Sequence, residues 1–159
     1  MTVSVAATSF LGKPLEYARN LIASSSTWQT LCDVETIAAA KPFIDYGEYS
    51  DPETFPHCLV SIDSVSLRGP GTRPKEGEGA VRAIFYLAVP SGITTYSDMY
   101  MTHMNSVGAI IADLQSLVLT NGNLAAHSFS MDSHGLLETD SENGDLIYVS
   151  EWLMRHPTL

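Results

Sequence analysis

Hydrophobic positions along this chain recur with two different periods, and the changes of period mark out its elements. Leu15, Ala18, Leu21 and Ile22 stand at helical spacing behind Pro14, a favoured first-turn residue, which predicts an amphipathic helix from Pro14 to Ser24. Ser26 or Thr27 then caps a short turn bearing Trp28 and Leu31. The alanine-rich run Val34 to Ala40 forms a further helical piece that Pro42 stops. Phe43 to Pro56 mixes Tyr46, Gly47, Tyr49 and two prolines with Asp45, Glu48, Asp51 and Glu53, and reads as an ordered acidic surface loop.

The period then drops to two. From His57 to Leu67, Cys58, Val60 and Ile62 fall on one face and Leu59, Ser61, Asp63 and Val65 on the other. From Ala80 to Val89, Val81, Ala83, Phe85, Leu87 and Val89 oppose Arg82, Ile84 and Tyr86. Between these strands, residues 68–79 carry four glycines and two prolines, too many for regular structure, so this segment reads as a long, mobile hairpin tip.

The clearest periodic segment is a helix from Ser97 to Thr120, with Ser97 as the candidate N-cap and Asn121-Gly122 as its left-handed stop. Its apolar stripe is Tyr100, Met104, Val107, Ile111, Leu114 and Val118. The other side carries Thr102, Asn105, Ser106, Ala109, Asp113 and Ser116, small or mostly uncharged where an exposed helix normally shows Lys and Glu. A second protein surface packed there explains that choice.

Alternation resumes from Leu124 to Met131, and Leu136 to Asp140 pairs briefly across a turn. Glu142-Asn143-Gly144-Asp145 makes a hairpin turn into a last strand from Leu146 to Arg155. The sum is one α+β domain spanning residues 1–159. It has a mixed or antiparallel sheet, with the long central helix and the broken N-terminal helical segment packed on one face.

Charge narrows the functional classes. The 159 residues hold 18 acids against 8 Lys and Arg, a net charge of −10, with 45% hydrophobic residues to build a core. No Lys or Arg occurs from Ala83 to Met154, so this half disfavours tight binding to nucleic acid or to an anionic membrane. Cys32 and Cys58 lack a CxxC partner and read as small buried hydrophobes in a reducing compartment. No stretch reaches bilayer-spanning length, and Met1 to Phe10 lacks the features of a signal peptide. Synthesis in the cytoplasm is the expectation.

Catalytic patterns are weak. His127 and His134 bracket Asp132 and Ser133, but with no spacing known for a metal site or a Ser/His/Asp triad. With no HExxH, GxSxG or Cys/His quartet, His57, His103, His127, His134 and His156 read as surface or packing histidines. The glycines of 69–79 lack the GxxxxGK[ST] pattern and lead into a strand, unlike a phosphate loop. The acids Glu138 and Asp140 alternate onto one strand face, where an exposed acidic edge accounts for them equally well. The expectation is a protein with no catalytic residues, no metal and no cofactor.

The order of elements has a counterpart. The helix Leu15-Glu16-Tyr17-Ala18-Arg19-Asn20-Leu21-Ile22, the Trp28 segment, the strand Cys58-Leu59-Val60-Ser61-Ile62, and the Gly-rich hairpin come first. The strand Arg82-Ala83-Ile84-Phe85-Tyr86-Leu87, the central helix and the closing strand Ile147-Tyr148-Val149-Ser150-Glu151-Trp152 follow. Together they resemble the tail terminator (tail-completion, head-to-tail joining) proteins of long-tailed, lambda-like bacteriophages. The resemblance covers most of the chain and rests on the order of elements, with no invariant motif. It implies a structural virion subunit, made in the host cytoplasm, that forms a homo-oligomeric, hexameric ring at the head-proximal end of the tail. Such a ring ends polymerisation of the tail-tube protein and presents a surface to the head-side connector or stopper, while DNA passes through without specific binding and no membrane is involved.

On that reading the partner-interface residues are Arg68, Arg73, Lys75, Glu76 and Glu78 on the hairpin tip and Asn105, Ala109 and Ser116 on the central helix. Glu138, Asp140, Glu142, Asp145 and Glu151 are the candidate channel-lining acids, with the Asp45 to Glu53 cluster as an alternative lining. Acids near the axis repel passing phosphates, and the same acids serve equally to keep a subunit soluble. Two other classes compete: another phage neck or tail-tube ring protein, and a small cytoplasmic α+β enzyme or ligand-binding domain using His127 and His134.

Overall fold

The computed structural model of the chain describes residues 11–48, 54–65, 77–121, 128–138 and 144–158. Short helices α1 (Gly12–Ala23), α2 (Ser26–Leu31) and α3 (Ile37–Ala40) lead through a 3-10 turn (Lys41–Phe43) into strand β1 (Ile44–Tyr46). Strands β2 (His57–Val65) and β3 (Gly77–Ala88), the long helix α4 (Tyr96–Asn121), and strands β4 (Ser128–Glu138) and β5 (Leu146–Thr158) follow. The sheet runs in the order β1-β2-β3-β5-β4, parallel at β1–β2 and antiparallel elsewhere. The expected α+β class with a mixed sheet and a long helix is what the chain adopts.

Local chemistry explains where the elements start and stop. Ser25, one residue before the expected caps Ser26 and Thr27, opens α2: its hydroxyl accepts the Trp28 N–H at 3.1 Å. The same helix closes in a Schellman arrangement, with Val34 N–H on Gln29 C=O and Asp33 N–H on Thr30 C=O, and Asp33 takes the left-handed conformation (φ 55°). The expected helix over 34–40 shrinks to Ile37–Ala40 because the Thr36 hydroxyl caps it, accepting from Ala39 N–H. Pro42 does not end the helical path. It sits in the first turn of the 3-10 segment, where its missing N–H costs nothing. In α4 the cap is Thr95 and not Ser97: Asp98 N–H donates to the Thr95 hydroxyl, which donates in turn to the Asp98 carboxylate at 2.6 Å.

Three strand expectations are corrected. The acidic segment 43–56 contains β1, whose Ile44, Asp45 and Tyr46 pair with Cys58, Leu59 and Val60. Gly77–Gly79, expected within the hairpin tip, already belong to β3, opposite Val65 and His156 at Gly79. Residues 66–76 lie outside the described residues. The described parts of the two stretches expected at 124–131 and 136–140, residues 128–131 and 136–138, belong to one strand, β4, whose ladder to β5 skips a register between Met131 and Ser133; residues 124–127 and 139–140 lie outside the described residues. Gly144 has φ 64°, the left-handed backbone that the predicted hairpin turn requires.

The helices cover one face of the sheet. Ala18, Leu21, Ile22 and Trp28 join Val107, Ile110 and Leu114 over Cys58, Val60, Ala83, Phe85 and Met154, with Trp28 edge-on to Phe85 at 5.9 Å. Along α4, Val107, Ile111 and Leu114 of the predicted stripe are buried but Tyr100 and Met104 are only half-buried. The buried face is turned toward Met99, His103 and Ile110, because α2 and α1 pack along that flank. Cys32 and Cys58 are free and buried, and burial pushes the Cys32 thiol up to about 12. No helix among the described residues is long and apolar enough to cross a membrane.

Candidate functional site

The densest polar chemistry lies where α4 crosses β5 beside β4. Inward positions of β5 place Tyr148, Ser150 and Trp152 in a row, α4 supplies Tyr96, Tyr100 and His103, and β4 supplies His134. The His103 Nε2 and Ser150 Oγ atoms are 2.7 Å apart, and the Trp152 indole N–H donates to the same hydroxyl at 2.9 Å. An indole can only donate, so Ser150 accepts from Trp152 and its own proton is available for His103 Nε2. That choice of tautomer leaves the proton of His103 on Nδ1, a buried atom with no hydrogen-bond partner among the described residues.

Around this pair, the His103 ring lies 4.7 Å from Tyr148, whose hydroxyl is 2.8 Å from His134 Nδ1 and 3.2 Å from the Tyr96 hydroxyl. Burial lowers the pKa of His103 to about 4, with nearby His134 adding to the shift, so His103 is neutral at pH 7. Burial and then the Tyr96 hydroxyl raise that of Tyr148. A Ser–His pair at this distance invites a nucleophilic reading, but Ser150 is wholly buried and its oxygen is occupied by Trp152 and His103. A hydroxyl without access to substrate cannot attack one. The adjoining cleft, bordered by Leu31, Leu87, Met99, Thr102, His103 and Tyr148, holds about 70 Å³. Small-molecule pockets start at roughly 300 Å³. The cluster therefore acts as a polar pin between α4 and the sheet.

A second constellation sits on the face of the sheet away from the helices. Both ladder irregularities insert an aspartate, Asp63 between Ile62 and Ser64 in β2 and Asp132 between Met131 and Ser133 in β4. Both carboxylates converge on Arg82 of β3, at 2.6 Å for Asp63 and 4.0 Å for Asp132, and Glu151 of β5 adds a contact at 3.4 Å. Plain alternation already puts both aspartates on this face, since Ile62 and Phe129 pack on the helix side, and each bulge falls at the aspartate itself. The Asp63 hydrogen bond, outweighing partial burial, and the surrounding acids raise the Arg82 pKa further. The group carries three carboxylates on one guanidinium and is half open to water, so it contributes modest stability and a negative field. No three His, Cys, Asp or Glu side chains among the described residues are arranged to hold a metal ion.

The predicted site residues are distributed as follows. Asn105, Ala109 and Ser116 lie on one exposed line of α4. Glu78 falls in β3, opposite Pro157 of β5. Arg68, Arg73, Lys75 and Glu76 are outside the described residues, as are Asp140, Glu142 and His127. Glu138 and Asp145 are exposed at the β4–β5 turn end, but Glu151 is not with them: it lies mid-strand, pairs with Arg82, and faces away from the helices. The proposed acidic lining is thus split between two places. His134 meets Tyr148 and Tyr100, and its functional neighbour from sequence, Asp132, points to the opposite face. Sequence reasoning missed His103 and Ser150 as partners. A serine at an inward β5 position was the one available sign of a buried hydrogen bond. Comparison of the chain with protein-family models and with curated proteins finds no match.

Proposed function

We propose that this chain is a structural ring subunit of a virion, placed at the head-proximal end of a bacteriophage tail, where it ends tube polymerisation and joins the tail to the head connector. The observation that carries the reading is the charge pattern. The long helix and strands between Ala83 and Met154 contain no Lys or Arg, and exposed Glu138 and Asp145 stand at one end of the sheet. A wall of that kind lets DNA pass without capture, because nothing on it neutralises phosphate. The fold supports the same reading, being a small α+β subunit with helices on one sheet face, and its best-defined polar cluster is sealed and packs the molecule together.

In this role the subunit contacts copies of itself around the ring, the tail-tube protein on one side and the connector or stopper on the other. The test is genetic and morphological. A phage deprived of this chain should make tails of uncontrolled length that fail to join filled heads, and adding the purified chain to such extracts should restore joining. Tails of normal length that join heads without it would refute the proposal.

A further inference from the structure

The hydrogen-bond chain of the α4–β5 pin stops at a buried donor. It runs from the Trp152 indole through the Ser150 hydroxyl to His103 Nε2, with steps of 2.9 and 2.7 Å. Its far end is the Nδ1–H of a residue only 3% exposed, an atom buried with no hydrogen-bond partner among the described residues. Hydrogen bonds in series polarise one another, which strengthens that last donor. In folded proteins such buried donors are paired, either with protein or with ordered water.

Room for a partner lies beside it. His103 forms part of the wall of the cleft of about 70 Å³, with Leu31, Leu87 and Met99 as apolar neighbours. Thr102 and Ser106 of α4 border the same cleft, and both are half-buried. Residues three and four apart on a helix are neighbours, so Ser106 stands beside both His103 and Thr102. Neither hydroxyl makes a hydrogen bond among the described residues.

Size and charge select the occupant. The volume is far below the roughly 300 Å³ of a small-molecule pocket and matches the liquid volume of about two waters. No Lys, Arg, Asp or Glu borders the cleft, so an ion there would be desolvated with no counter-charge. The ring N–H needs an acceptor, and the two hydroxyls can donate and accept. Water is small, neutral and fills both roles.

We propose that His103 Nδ1–H, together with the Thr102 and Ser106 hydroxyls, holds bound water in this cleft. The water carries the pin onward to the connection from β3 to α4, since residues 88–90 also border the cleft. Held by several partners, such a water ties the groups around it nearly as well as direct hydrogen bonds do. The inference concerns one subunit and stands apart from the ring reading.

Crystal structures of the full chain, wild type and Ser106→Leu, test it, together with the nitrogen NMR spectrum of the His103 ring at pH 7. In wild type the expected result is a proton on Nδ1 and an ordered water within hydrogen-bond distance of that atom. The larger side chain at position 106 should fill the cleft and remove the water. Xenon pressed into wild-type crystals should stay out, because it settles in dry apolar cavities. Xenon in the cleft, a protein group on Nδ1 in place of water, or a proton found on Nε2 would each overturn the inference. Thr102→Val keeps the bulk of its side chain and serves where Ser106→Leu does not fold: the water should lose occupancy, and full occupancy would overturn the assigned partners.

Discussion

Asp113 belongs to α4 but caps a different helix, and its removal should unfasten α2 from the core. One carboxylate oxygen accepts the Ser25 hydroxyl at 2.7 Å, the Thr27 N–H at 2.9 Å and the Ser26 hydroxyl at 3.2 Å. The Ser26 contact is exposed and long, so two charge-assisted bonds carry the energy. At about 1.5–3 kcal/mol each, less what water returns to the freed groups, Asp113→Ala should cost about 3 kcal/mol. For a chain of this size that lowers the unfolding midpoint by about 6–12 °C. Asp113→Asn keeps an acceptor without the charge and should cost about half as much. Burial raises the Asp113 pKa, but the hydrogen bonds from Thr27, Ser25 and Ser26 outweigh it and hold it below the ordinary carboxylate value. The folded form therefore favours the ionised acid. Its stabilisation is fully present above about pH 4 and is lost as pH falls through the depressed folded value. Thermal and urea unfolding of the three proteins between pH 3 and pH 7 measure both effects. An alanine variant within about 0.5 kcal/mol of wild type at pH 7 would refute the capping account.

Ile110, fully buried in α4, should lose about 3–5 kcal/mol on truncation to Ala, more than Ile111, which is 8% exposed; the reverse order in urea unfolding would put the helix in the wrong rotation. His103 is held neutral by burial with a pKa of about 4, below the ordinary 6.5, and burial also lowers His57 against the pull of Asp45. Unfolded histidine binds the proton first, so stability should fall as pH drops from about 6.5 toward 4, and His103→Phe should flatten the slope and leave the His57 part. On the ring reading proposed above, Glu138→Lys with Asp145→Lys should leave assembly intact but slow DNA passage; ejection at the wild-type rate would refute a lining role for these acids.

The long helix and the paired strands were legible because burial imposes strict periods on them: Val107, Ile111 and Leu114, or Val81, Ala83 and Phe85, have no other use for their spacing. Strand β1 was hidden for the opposite reason. Three residues give no period, and Asp45 and Tyr46 are exposed, so only the ladder to Cys58–Val60 defines it. The rotation of α4 was hidden because His103 occupies a core-facing position. A histidine scores as polar until its Ser150 partner, 47 residues away, satisfies it. The convergence of Asp63 and Asp132 on Arg82 depends on which strands lie side by side, order β2-β3-β5-β4, and the bulge at each aspartate leaves no mark in a hydrophobic pattern except a slip of phase.

Those two bulges also bear on how the acids divide their work. Of the described Lys and Arg in the interior strands, Arg155 and Arg82, it is Arg82 that draws Glu151, Asp63 and Asp132 to itself. Acids committed in this way hold the sheet together and cannot act fully on a passing phosphate. Glu138 and Asp145 stand exposed at the β4–β5 turn end. At physiological salt a charge is felt over about 8 Å, so in the proposed ring these two acids would act on DNA only where that turn is brought close to the axis.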